Sequence, residues 1–158
     1  MGNFNFKKDL DVEQTKCIPA VTPILEKWLR DNIDTDVTLL EIYDGPEYDL
    51  KYDIGGLVKT FEVKEDFKCA ITFNVAIEFH SWGKPSGIDV TTADFYVYRI
   101  HLPNGILHYI MPTRELRRII DEKIYHSIKP GGDEGSNTMN YLFFLKDIKA
   151  ISINMEES

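Results

Sequence analysis

The stretch YDLKYDIGGLVKTFEVK, Tyr48 to Lys64, holds two runs of strand-like alternation on either side of Gly55-Gly56. A Gly-Gly pair between such runs is a signal for a tight hairpin, because both turn positions need positive φ. With Gly55 and Gly56 as the two turn residues, Ile54 faces Leu57, Lys51 faces Thr60 and Asp49 faces Glu62. Directly opposed residues point to one face with Cβ atoms about 5 Å apart. Lys64 lies two residues beyond Glu62, so the period of two returns it to that face. Asp53 shares the face nearer the turn. A four-residue turn would instead set Glu47 against Glu62, and a bulge would shift the choice again.

Two adjacent carboxylates repel one another unless a positive charge sits between them. A hard divalent cation is the usual solution, and Mg²⁺ takes one or two carboxylates together with phosphate oxygens. A neighbouring lysine helps to orient or deprotonate a water, or stabilises charge on a phosphate. An Asp, a Glu and a Lys on one face therefore point to phosphodiester hydrolysis with Mg²⁺ or Mn²⁺.

Asp49, the hairpin and then Glu62-Val63-Lys64 resemble the signature of the PD-(D/E)XK nuclease superfamily, an Asp followed by (Asp/Glu)-x-Lys on the next strand. Asn74-Val75-Ala76-Ile77-Glu78, then Gly83-Lys84-Pro85-Ser86-Gly87-Ile88 and Thr91-Thr92-Ala93-Asp94, look like segments of small phage and bacterial members. The resemblance covers Tyr48 to Tyr98 well and Asp9 to Ile148 loosely. It implies a restriction-endonuclease-like α/β fold, with a central, mixed but mostly antiparallel sheet flanked by helices. It further implies Asp49, Glu62 and Lys64 as catalytic residues, and Asp49, Glu62 and the Val63 carbonyl as metal ligands. Members usually add an acid from the first helix. Aligned through Asp9-Leu10 and Gln14, that position is Cys17 here, and Glu13, one turn away, is the best substitute. Glu78 and Asp53 complete the secondary set. Lys84 and Ser86, on a glycine-containing loop whose amides suit a phosphate, and Asn74 are the candidate substrate contacts.

The chain has 158 residues, 43% hydrophobic and 28% charged, as for one globular domain with a single core. Residues 1–10 and 154–158 are expected to be flexible ends. No apolar run approaches the ~20 residues that span a bilayer, and the N-terminus has no signal-peptide core, so a cytoplasmic protein is expected. Cys17 and Cys69 read as buried thiols. Eighteen Lys plus Arg against 26 Asp plus Glu give a net charge of −8, which opposes nonspecific DNA binding and calls for a local basic stripe, a metal, a partner or a homodimer.

Helical periodicity runs from Val12 to Asn32 through Ile18, Val21, Leu25, Trp28 and Leu29. Pro19 and Pro23 interrupt it, which predicts a kink or break near Thr22. Strands are expected over Thr35–Tyr43, within Phe67–Phe79, and over Phe95–Leu102 and Ile106–Met111 around Asn104-Gly105. Thr91-Thr92 is a candidate cap for a short helical turn. A second amphipathic helix, Thr113–His126, buries Leu116, Ile119, Ile120 and Ile124 and presents Arg114, Arg117 and Arg118. Ile128–Asn140 reads as a flexible loop and Tyr141–Leu145 as a strand. Functionally, a metal-dependent endo- or exonuclease acting on DNA is expected. A catalytically inactive DNA-binding or assembly module of the same fold is the alternative. An acidic protein imitating DNA is a third reading, opposed by Lys64 and the Lys84 loop.

Overall fold

The computed structural model describes residues 17–132 and 134–157. Its central hairpin pairs β2 (Leu50–Ile54) with β3 (Leu57–Asp66). Gly55 and Gly56 take φ of +60° and +94°, the left-handed values that a two-residue turn between twisted strands requires. Ile54 pairs with Leu57, Lys51 with Thr60 and Leu50 with Phe61. The four-residue turn that would have aligned Glu47 with Glu62 is therefore excluded, and Asp49 is the next position in register.

Around this hairpin, β1 (Val37–Ile42), β6 (Phe95–Leu102), β7 (Gly105–Pro112) and β10 (Ile153–Asn154) complete a six-stranded sheet ordered β1-β2-β3-β6-β7-β10. Within it β3 and β6 run parallel, so Glu62 lies beside Tyr96 and Lys64 beside Tyr98. The single sheet expected from sequence is two. A second, antiparallel sheet is ordered β5-β4-β9-β8, from β4 (Asn74–Ser81), β5 (Lys84–Pro85), β8 (Ser127–Gly131) and β9 (Thr138–Phe144). The reading of Ile128–Asn140 as a loop is corrected by β8 and β9. Pro130 and Gly131 discourage a central strand, but β8 is an edge, where a missing donor costs little.

The first helix, α1 (Ile18–Asn32), is continuous rather than broken near Thr22. Pro19 occupies the first turn, where its missing N–H is not needed. Pro23 removes one intrahelical bond, yet Val21 and Leu25 on either side of it are fully buried, and that burial carries the helix through. The α1 stripe packs with Tyr52, Phe61 and Val63 on one face of the large sheet. The other face sends Tyr96, Tyr98 and Met111 into a second core. Val75, Ile77 and Phe143 of the small sheet meet them there, with helices α3 (Thr113–Asp121) and α4 (Leu145–Ala150). A one-turn α2 (Cys69–Thr72) precedes β4.

Four further expectations change. Helix α3 ends at Asp121, so Ile124 lies beyond it and is exposed. Leu102 pairs with Gly105, so the β6–β7 turn is Pro103-Asn104 rather than Asn104-Gly105. The helical turn near Thr91 is a 3-10 turn at Gly87–Asp89, ahead of it. The expected flexible C-terminal end is tied down through Glu156, since Asn154 pairs with Tyr109 and Met155 is buried against α1. Residues 1–10 and Glu13 lie outside the described residues. Cys17 and Cys69 are buried thiols, as expected. Among the described residues no helix is long and apolar enough to cross a membrane.

Phe61 is fully buried, stacked on Phe95 and edge-on to Tyr52. Phe61→Ala should cost about 3–5 kcal/mol and lower the melting temperature by about 10 °C or more, as measured by differential scanning calorimetry.

Candidate active site

The parity of β3 buries Phe61 and Val63 under α1 and turns Glu62 and Lys64 to the opposite face, toward the small sheet. Glu62 is only 6% exposed, an unusual place for a carboxylate. Asp49 sits one residue ahead of β2, and its Oδ2 accepts a 2.7 Å hydrogen bond from the Val63 N–H. That amide points beyond the end of β2, so it is satisfied by a side chain instead of a strand. Register sets the Asp49 carboxyl beside that of Glu62, and the two act on each other electrostatically. Lys64 Nζ lies 3.3 Å from Glu62 Oε1.

Burial holds the Asp49 carboxyl up at about 7, and the adjacent charge of Glu62 pushes the same way. The Lys64 ammonium and the Val63 N–H oppose the rise without cancelling it. The pair thus carries one negative charge easily and a second at a cost, the condition in which a bound cation gains most.

Asp49, Glu62 and Lys64 line a cleft of about 610 Å³, and Glu78, Lys84 and Ser86 line it too. Three devices shape its far wall. Trp82 and Gly83, both at positive φ, turn the chain so that β5 pairs back on β4. Ser86 N–H bonds to the Phe79 carbonyl at 3.0 Å. Gly87, at φ +52°, presses so closely on β4 that a Cβ there would lie 2.2 Å from the Glu78 carbonyl oxygen. Only glycine serves at such a position.

Six of the sequence-derived candidates therefore converge on one cleft. Asn74 lies on an adjoining one, where its side-chain oxygen meets His126 Nε2 at 2.9 Å. Asp53 does not join them: its Oδ1 accepts from Gly56 N–H and closes the hairpin turn. The arginine cluster is also occupied structurally. Arg117 donates to the Thr91 carbonyl at 2.8 Å, and Arg118 pairs with Glu115 and Glu122. Cys17, at the position where the resemblance expects an acid, is 1% exposed and belongs to the core. Ile18 beside it lines the cleft.

Two participants were not anticipated. Thr91 is buried and donates to the Glu47 carbonyl at 2.7 Å, with its hydroxyl oxygen 3.5 Å from Glu62 Oε2. Tyr96, beside Glu62 across the parallel pair, is 1% exposed and its hydroxyl has no hydrogen-bond partner. The threonine pair gave a weak signal. Tyr96 gave none, because nothing local reveals a parallel register.

As a metal site the donor set fits in part. Asp49 and Glu62 supply the paired carboxylates, and the Val63 carbonyl shares the strand edge of the amide that binds Asp49. Among the described residues no group of three or more His, Cys, Asp and Glu gathers. Mg²⁺ accepts so sparse a protein set because it keeps waters and takes phosphate oxygens.

The raised Asp49 value has a signed consequence for stability. An unfolded Asp titrates near 3.8 and the folded one at about 7, so the folded state binds the proton more tightly. Stability from this group is thus present at acid pH and is lost as pH rises from about 4 to 7. In chelator-containing buffer, Asp49→Asn should raise the melting temperature by about 3–6 °C at pH 8 and leave it nearly unchanged at pH 4. Equal effects at both pH values would contradict the assignment. Set against known proteins, the chain matches no family model, no curated protein and no solved structure.

Proposed function

We propose that the protein is a divalent-metal-dependent nuclease that hydrolyses DNA phosphodiester bonds. The observation that carries this reading is the convergence of Asp49, Glu62 and Lys64 on one cleft, with Asp49 tied to the Val63 N–H next to Glu62 and the lysine 3.3 Å from Glu62. Asp49, Glu62 and the Val63 carbonyl would hold Mg²⁺ or Mn²⁺. When bound, the ion supplies Lewis acidity, neutralising phosphate charge and making a water easier to deprotonate.

The chain's own groups do the rest. Lys64 pairs with Glu62 and offers its ammonium to charge that builds on the phosphate, in a site where burial strengthens each such interaction. Val63 N–H fixes the Asp49 carboxyl, so it is oriented before substrate arrives. Lys84 and Ser86 face them across the cleft, where they can receive a phosphate oxygen.

The second reading, a binding or assembly module without the reaction, is favoured by one observation: Cys17 is a core residue where the resemblance calls for an acid.

Metal dependence separates the two. With labelled single-stranded, duplex and branched DNA, cleavage should require Mg²⁺ or Mn²⁺. Glu62→Gln and Lys64→Ala should each slow it by at least about 10³-fold while retaining the parent circular dichroism spectrum. Calorimetric titration should find an Mn²⁺ site in the parent that Glu62→Ala lacks. DNA binding with neither cleavage nor a metal site would support the module.

A further inference from the structure

Beyond the cleft that holds Asp49 and Glu62 lies a second, of about 430 Å³. Lys64, Glu78 and Gly87 line both, so the two form one trough with the lysine at the seam. The second cleft is walled by the polar row of the small sheet, Asn74, Glu78 and Asn140, and on the other side by Tyr96 and Tyr98. Lys68 and Lys129 stand at its margin with Phe67, which is 63% exposed.

Its charges are unevenly used. Glu65 is held by Arg99 and His101, and Asp66 accepts from the Cys69 amide at 2.9 Å. Among the described residues, Lys68 and Lys129 have no ion-pair partner and are available to an anionic ligand, and Glu78 between the two clefts is likewise unpaired. The Tyr96 hydroxyl is buried and unpartnered at the point where the trough passes the candidate catalytic residues. A buried donor left unpaired within the protein is costly, and a ligand acceptor would relieve that cost.

Shape selects among polyanions. Glu62 lies on the cleft floor at 6% exposure, so a phosphate must descend to reach it. Clefts of 610 and 430 Å³ fall within the size range of small-ligand pockets. Duplex DNA keeps its base faces stacked inside, whereas an unpaired strand presents them, and an exposed ring among cations and amide side chains is what single strands are bound by.

We infer that the second cleft seats the unpaired strand flanking the scissile phosphate, making single-stranded nucleic acid the substrate class. The inference deepens the nuclease reading of the same site and takes its orientation from it. Lys68 and Lys129 meet flanking phosphates, Phe67 stacks on a base, and Tyr96 donates to the phosphate nearest Lys64.

The test is fluorescence anisotropy of the full chain in EDTA, with labelled twelve-residue oligo(dT), oligo(U) and a twelve-base-pair duplex. Either single strand should bind at least tenfold more tightly than the duplex, and the preference between the two identifies the sugar. Lys68→Ser with Lys129→Ser, both exposed and safe for folding, should weaken single-strand binding about tenfold and reduce the slope of log K against log salt by about 1.4. Tyr96→Phe, which removes one oxygen, should weaken it several-fold with no loss of thermal stability. A duplex bound as tightly as the single strands, no binding of any probe, or an affinity indifferent to the lysines overturns the inference. Single-strand binding without metal-dependent cleavage leaves the inference standing and removes the nuclease reading. Cleavage of duplex without single-strand preference does the reverse.

Discussion

The setting of Asp49 beside Glu62 is the constraint on which the site depends, and strand register enforces it. Asp49 is tied to the backbone of β3 through Val63 N–H, and Glu62 is carried by that same strand. Neither can leave without breaking a bond or shifting the sheet. Burial first, and repulsion after it, are therefore absorbed as a raised Asp49 pKa instead of being relieved by movement. The core beneath supplies the rigidity, since Leu50, Phe61 and Val63, the immediate neighbours of the pair, are fully buried.

The hairpin was legible because its determinants are local. Two glycines demand positive φ, and a period of two then decides which side chains share a face. Everything turning on distant partners was not. Twenty-eight residues separate Asp66 from Phe95 and contain two strands of another sheet, so the parallel pairing of β3 with β6 left no mark in either strand. With that register hidden, Tyr96 could not be placed beside Glu62. Asp53 shows the opposite error: parity set it on the right face, but a carboxylate three residues before a turn amide finds that amide first.

The net charge of −8 looks unfavourable for binding a polyanion until the acids are traced to their partners. Asp53, Asp66 and Asp94 accept from backbone amides, which are fixed donors that need no countercharge. Glu65, Glu115 and Glu122 are spent in ion pairs. Of these only Glu65 and Asp66 line the trough, so structural duty takes acids mostly from elsewhere on the surface, while Lys68, Lys84 and Lys129 at the trough's edges are exposed. Total charge is a poor guide to the field a ligand meets, because local placement determines it.

Stability alone does not account for the arrangement. Replacing buried ionic groups with apolar ones of like volume is often neutral or favourable, so a carboxylate pair that resists its second charge is a standing cost. The Val63 amide needs only one acceptor, which an asparagine would provide without repulsion. Lys64 reduces the cost but stays a third exposed, facing the cleft instead of folding over the pair. A buried anionic pair and an unpaired hydroxyl beside it are each unfavourable in the protein alone. Under the proposed reading, a cation and a phosphate entering the cleft would offset both.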